Sequence, residues 1–263
     1  MNIFDFIRMK EKGEKITMVT CYDYSSARIL SQTSVDCLLV GDSVAMTMHG
    51  YKDTLSATVE MISFHTKAVS RGAGDKFIVA DLPFLSYRKS MSENVTAAQT
   101  LIQSGAHAVK LENAAGNIDL IRHLTESGIP VMGHLGLTMQ LMHMLGGIKV
   151  QGKTEQASAK MKEDALQLQA AGCFSLVLEC IPHHLATEIS PSLNIPTIGI
   201  GAGPNTDGQV LVYQDLLGLN LDFQPRFVKT FLDGQAKIQM GIEEYVKEVK
   251  TGGFPSDEHC YQS

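Results

Sequence analysis

The chain has no tryptophan, and aromatic residues make up only 6% of it, so a core would have to rest on aliphatic side chains rather than on stacked rings. Its five cysteines, Cys21, Cys37, Cys173, Cys180 and Cys260, are odd in number and form no C-x-x-C pair. That pattern indicates neither a disulfide framework nor a zinc knuckle and fits a reducing cytoplasm. No stretch approaches the ~18 uninterrupted apolar residues of a membrane span, and Met1–Lys15 mixes Asp5 and Glu11 with Arg8 and Lys10 where a secretory signal would carry an apolar centre. Basic clusters are also missing. The 22 Lys and Arg residues are dispersed in a chain of net charge -6, which argues against a nucleic-acid partner, since phosphate backbones demand clustered cations. Low-complexity tracts and fixed-period repeats do not occur, so neither disorder nor a solenoid is expected.

What is present is an ordinary globular composition, 44% hydrophobic and 19% charged over 263 residues, close to the ~250 residues of a single (β/α)8 barrel. Short apolar runs recur, each the length of a buried parallel strand, in which helices covering both faces allow continuous hydrophobic sequence. Eight are expected: Ile16 to Cys21, Asp36 to Val40, Lys76 to Ala80, Ala106 to Glu112, Ile129 to Gly133, Phe174 to Leu178, Ile195 to Ile200 and Val210 to Tyr213. Helical patterns separate them, including Val59 to Arg71, Glu93 to Ser104, Ile118 to Ser127 and Lys160 to Ala171, and an amphipathic helix is expected over Phe227 to Val249. Asn2 is placed to cap a first helix over residues 2 to 12 that closes the barrel floor, and Ser25 or Ser26 to cap the next. Repeated right-handed βα crossovers permit an open doubly wound sheet or a closed barrel. Length and strand count favour an α/β TIM barrel, one domain spanning 1–263.

The polar residues that end these runs carry the chemistry. Asp42, Asp81 and Glu112 close consecutive strands and would stand together at the carboxyl edge, where α/β enzymes place their sites. A single acid after a strand is often a helix cap. Three converging carboxylates repel one another unless a cation lies among them, and oxygen donors in that number suit magnesium before zinc. Lys110, two residues before Glu112, falls on the same side of its strand, and a buried ammonium there needs an anion, either the acids themselves or a substrate carboxylate. Glu179 ends Leu176-Val177-Leu178, where desolvation can raise a carboxylate toward the range of a general base; a plain strand-end glutamate is the competing reading.

Weaker signals surround these. His134 follows the fifth strand and reads equally well as a proton donor, a supporting residue or a structural histidine. Gly199 to Gly203 lies too late in the chain for a dinucleotide fingerprint and reads as tight packing, and His183-His184 lack zinc-helix spacing and read as surface residues. Gly146 to Lys153 is expected to be an extended connection able to act as a flap.

The stretches Cys21 to Ser25, Val40 to Ser43, Ala80 to Phe84, Val109 to Glu112, Gly133 to Thr138, Leu178 to Cys180, Gly199 to Gly203 and Pro255 to His259, in this order and spacing, resemble the ketopantoate hydroxymethyltransferase family nearly end to end. The resemblance implies a barrel of the phosphoenolpyruvate/pyruvate type that moves a one-carbon unit from 5,10-methylenetetrahydrofolate to 3-methyl-2-oxobutanoate, giving 2-dehydropantoate for pantothenate synthesis. It implies magnesium held by Asp42, Asp81 and Glu112, directly or through water, and the keto acid bound by Asp42, Ser43, Asp81 and Lys110. Glu179 would be the proton acceptor, and the protein a homo-oligomer, decameric in many bacteria. The sequence departs from the family pattern at Ala45 and Asn113, where glycine is usual, and at Ser56 and Met139, where proline is usual. A Mg-dependent lyase or mutase on the same barrel, and a non-catalytic ligand-binding barrel, are the alternatives.

Overall fold

Eight parallel strands, each hydrogen-bonded to its successor in the chain, close into a barrel when the eighth pairs with the first, in a computed structural model that describes residues 1–220 and 225–262. They are β1 (Ile16–Thr20), β2 (Cys37–Val40), β3 (Phe77–Asp81), β4 (Ala108–Lys110), β5 (Val131–Gly136), β6 (Ser175–Glu179), β7 (Thr197–Ile200) and β8 (Gly208–Leu211). The helices α1 (Ile3–Lys12), α2 (Tyr24–Ser31), α3 (Val44–Thr47), α4 (Val59–Gly72), α5 (Met91–Gln103), α6 (Ile118–Glu126), α7 (Met142–Leu145), α8 (Glu155–Ala170) and α9 (His183–Ser192) belong to the same compact unit, Met1–Val212. The TIM-barrel expectation holds.

The floor is sealed as the first residues anticipate. The Asn2 side chain accepts from the N–H groups of Phe4 and Asp5, Asp5 reaches back to the Asn2 N–H, and Gly13 ends α1 in the left-handed conformation. This cap aims Phe6, fully buried, edge-on at Phe77 and Phe174, with ring centroids 5.3 and 5.2 Å away. Burying such a ring is worth about 1.5–3 kcal/mol.

Alternation along the strands then builds the site. The interior cluster contains Cys37, Leu39, Phe77, Val79, Ala108, Met132, Val177, Ile198 and Val210. A strand returns to the same face every second residue, so one step toward the carboxyl edge from Val79, Ala108, Met132 and Val177 brings Asp81, Lys110, His134 and Glu179 inward. Strand register ties these positions together: Asp81 pairs with Lys110, and Gly136 with Glu179. An apolar layer thus lies beneath a polar one.

Several boundaries differ from expectation. Helix α2 is capped by Asp23, whose carboxylate accepts from the Ser26 N–H, and not by Ser25 or Ser26, which lie within the first turn; an acid there also suits the positive end of the helix dipole. Strand β5 begins after Pro130, which has no N–H to donate, and runs through His134 to Gly136. Strand β8 starts earlier, at Gly208, where a Cβ would lie 2.4 Å from the Ile16 carbonyl oxygen, so the closing seam requires glycine. Helix α8, by contrast, begins where a helix is expected, near Thr154, whose side chain caps it. Between β2 and α4 the chain forms α3 and a turn of 3-10 helix, Thr54–Ser56.

The second compact unit, Tyr213–Ser263, carries α10 (Tyr213–Leu216) and α11 (Gly234–Thr251). The helix expected from Phe227 begins instead at Gly234, where the Asp233 side chain accepts from the Ala236 N–H. Ile238, Met240, Ile242, Tyr245 and Val249 are exposed along α11. Among the described residues, no helix is long and apolar enough to cross a membrane.

Candidate active site

At the carboxyl edge the expected acids meet. The Asp42 N–H donates to Asp81 Oδ2 at 3.0 Å, and Lys110 Nζ lies 2.9 Å from Asp81 Oδ1. Gly41 permits the approach of β2 to β3: a Cβ there would lie 2.9 Å from Ser43 Oγ and 3.4 Å from Asp81 Oδ2. Glu112 Oε1 faces His134 Nδ1 at 3.5 Å, while His134 Nε2 lies 3.2 Å from Glu179 Oε2, an ion-pair distance without hydrogen-bond alignment. Lys110 Nζ is 3.4 Å from the same His134 Nδ1. Asp42, Asp81, Lys110, Glu112 and His134 are buried, and Glu179 keeps 18% of its side-chain surface open to solvent.

Four carboxylates around one lysine leave the cluster short of positive charge. Burial, followed by the charges of Asp81 and Glu112, pushes the Asp42 carboxyl up from 3.8 to about 8 against the opposing effects of Lys110 and Gln140. Burial would depress the Lys110 ammonium, but Asp81, Asp42 and Glu112 more than offset it and hold its pKa above the ordinary value. Burial and Lys110 likewise oppose charge on His134, yet Glu112 and Glu179 raise it to about 9.

These residues fit a hard divalent ion in their chemistry. The donors of Asp42, Asp81 and Glu112 are all oxygens, Asp42 is uncomfortable as an anion, and the buried Asp81 Oδ1 lacks an aligned hydrogen-bond donor. Among the described residues no three His, Cys, Asp or Glu side chains are gathered into a ready ligand set. Magnesium asks for none, because it keeps several waters and takes one or two carboxylates together with substrate oxygens.

Backbone geometry at the strand ends is unusual. Asn113 and Cys180, the residues directly after Glu112 and Glu179, have φ of 69° and 47°. Asparagine tolerates the left-handed region better than most side chains, which explains how this chain dispenses with glycine after Glu112. The Asn113 side chain also donates to Thr138 Oγ1 at 3.3 Å. Gly136, at φ 105°, leaves no choice: a Cβ would stand 2.0 Å from the Glu179 carbonyl oxygen, which accepts the Leu137 N–H at 2.8 Å.

Ser43 heads α3 without capping it; its Oγ lies 2.7 Å from the hydroxyl of the buried Tyr22. Sequence reasoning left three residues out of the site: His134, Gln140 and Tyr87. Gln140, in the turn Met139–Leu141 after β5, donates to Asp42 Oδ2 and to the Leu82 carbonyl oxygen, and accepts from the Tyr87 hydroxyl. For His134 a signal existed, since Met132 is interior and the strand period carries that face on. Gln140 and Tyr87 sit in loops with no periodicity to read. His183 and His184 are exposed at the start of α9, as expected. A separate polar cleft of about 840 Å³, lined in part by Arg8, Arg28, Asp36 and Lys76, is formed by residues that precede the strands and does not include the acids.

The model of the family described as ketopantoate hydroxymethyltransferase matches residues 1–257. The chain belongs to that family. A 3-methyl-2-oxobutanoate hydroxymethyltransferase of Bdellovibrio bacteriovorus is 58% identical over 259 residues, 98% of each chain. Among solved structures, the barrel is similar to a phosphoenolpyruvate phosphomutase from Streptomyces platensis subsp. rosaceus, with TM-score 0.63 at 10% identity over 96% of this chain and 88% of that one. It is also similar to a phosphonopyruvate hydrolase in complex with oxalate and Mg++, with TM-score 0.62 at 11% identity over 98% and 93% of the two chains. At such identities the likeness is one of fold. The family match spans the residues of all eight strands and their strand-end acids.

Proposed function

We propose that the chain transfers a hydroxymethyl group from 5,10-methylenetetrahydrofolate to 3-methyl-2-oxobutanoate, giving 2-dehydropantoate in the route to pantothenate and coenzyme A. Family membership sets the reaction, and the observation that carries the mechanism is the single buried network from Asp42 through Asp81, Lys110 and His134 to Glu179. Asp42, Asp81 and Glu112 hold magnesium, directly or through water. When bound, that ion polarises the keto carbonyl and makes the hydrogen on C3 more acidic.

The side chains divide the remaining work. Lys110 offsets the substrate carboxylate in a site where burial strengthens charge pairing, and Ser43, Asp42 and Asp81 line the place of the oxo acid. Glu179, the most accessible of the four acids, accepts the C3 proton, with His134 at 3.2 Å holding it in place. The methylene carbon exchanges its two bonds to folate nitrogens for one to C3 and one to a water oxygen, the C3 proton and one water proton pass to those nitrogens, and tetrahydrofolate leaves. The residues after Glu112 and Glu179 have positive φ, so the chain turns directly after each acid.

The reading extends to a cytoplasmic homo-oligomer, decameric as the family resemblance implies, and the exposed apolar side chains of α11 supply surface for such assembly. Light scattering would then give a mass that is a multiple of 28.6 kDa. The function itself is tested by supplying 3-methyl-2-oxobutanoate, methylenetetrahydrofolate and magnesium and following 2-dehydropantoate. Product that depends on the folate supports transfer. Breakdown of a 2-oxo acid without folate would favour a lyase or mutase, and ligand binding without turnover a silent barrel.

A further inference from the structure

Gln140 reaches the ends of three strands from the loop after a fourth. Its Nε2 donates to Asp42 Oδ2 at 2.9 Å, beyond β2, and to the Leu82 carbonyl oxygen at 3.0 Å, beyond β3. Its backbone N–H donates to Glu112 Oε2 at 3.2 Å, beyond β4. On the other side, its Oε1 accepts from the Tyr87 hydroxyl at 2.7 Å, and the Tyr87 oxygen in turn accepts from the Glu112 N–H at 3.4 Å. Both residues are buried.

The orientation of the amide follows from its neighbours. The Leu82 carbonyl oxygen can only accept, so the group facing it, with Asp42 beside it, must be the NH2. Turned over, the amide would set Oε1 against the Leu82 carbonyl oxygen and lose the bond it accepts from the Tyr87 hydroxyl. Every polar hydrogen of the side chain is therefore used, and one oxygen of Asp42 and one of Glu112 are each claimed by the same residue. The claim is made by a neutral donor. Lysine or arginine in that position would also orient the carboxylates but would cancel their charge, whereas an amide fixes them and leaves the charge for another cation.

We propose that Gln140 is a positioning residue of the cation and oxo-acid site, braced by Tyr87, and that it presents Asp42 and Glu112 in the orientation that takes up magnesium. This rests on the proposed function. Groups of this kind, which hold ligands without touching the metal, are worth about 10- to 100-fold in metal affinity.

The test is calorimetric titration of magnesium into the full-length protein without substrate, for the wild type, Gln140→Met, Tyr87→Phe and the double variant. Methionine keeps the length and volume of glutamine and removes the side-chain donors and acceptor, while the backbone N–H to Glu112 stays. The expected result is magnesium binding about 10- to 100-fold weaker in Gln140→Met, with a smaller loss in Tyr87→Phe. The double variant should lose less than the product of the two single losses, because Tyr87 acts partly through the amide and partly through its own bond to the Glu112 N–H. In turnover, the same variants should raise the KM for 3-methyl-2-oxobutanoate more than they lower kcat at saturating magnesium. A Gln140→Met protein that binds magnesium as tightly as the wild type, whatever its melting temperature, would overturn the role, as would losses that multiply independently in the double variant. Should Gln140→Met not fold, Tyr87→Phe, which removes one oxygen, still decides: unchanged magnesium affinity there overturns the role too. A wild type that takes up no magnesium would remove the reading of the site itself, an outcome distinct from equal binding by wild type and variant.

Discussion

Glu179 is the acid with the most solvent access in the cluster, and its partner His134 comes from the neighbouring strand. Replacing it by glutamine keeps shape and removes the base. Glu179→Gln should lower kcat by about 10²- to 10⁴-fold, the usual worth of a positioned acid or base, while magnesium titration stays at the wild-type value. Asp81 has a double attachment, to the Asp42 N–H and to Lys110. Asp81→Ala should therefore weaken magnesium and oxo-acid binding together, and an unchanged magnesium titration would contradict its assignment as a ligand. Asp42 also carries a pH prediction. Its carboxyl rises from 3.8 to about 8 on folding, through burial and then through Asp81 and Glu112, so between those values the folded state holds a proton that the unfolded chain has released. Stability of the metal-free protein should thus fall as pH climbs from about 4 to about 8. Asp42→Asn should flatten that fall in a pH series of melting curves; a slope equal to the wild type's would show that Asp42 is not its source.

At the scale of elements, the strand ends were readable and the loops were not. Asp42, Asp81, Lys110, Glu112 and Glu179 each terminate or follow an apolar run, so composition and period two were enough to bring them to one edge. Gln140 and Tyr87 were invisible because their role depends on four loops meeting in space, which no local period encodes. The expected helix from Phe227 was set too early because apolar spacing extends beyond the Asp233 cap, and β8 was set too late because its first residue is a glycine chosen for the seam. The turn after β4 gives a further prediction. Asn113→Gly should keep stability and activity, since φ is 69° there and glycine enters that region freely. Asn113→Val should lower the melting temperature and displace Glu112, because a β-branched residue at positive φ is a genuine outlier. Equal melting temperatures for the two variants would refute the backbone explanation.

Over the whole molecule, sealing and chemistry occupy opposite ends of one barrel. Phe6 plugs the floor between Phe77 and Phe174, the aliphatic layer fills the middle, and the charged layer caps it toward the mouth. The charged layer is the costly part of this arrangement, since like charges in a buried site oppose folding until a cation joins them. Magnesium should raise the melting temperature of the wild type in a concentration-dependent way, as any ligand of the folded state does. Transfer depends most on the charged layer stripping the C3 hydrogen from a bound 2-oxo acid. Incubating 3-methyl-2-oxobutanoate in D2O with the protein and magnesium, without folate, and following C3 by NMR tests it directly. The C3 hydrogen should be replaced by deuterium at a rate that requires magnesium and is lost in Glu179→Gln; no exchange in the wild type, or exchange that survives Glu179→Gln, would contradict it.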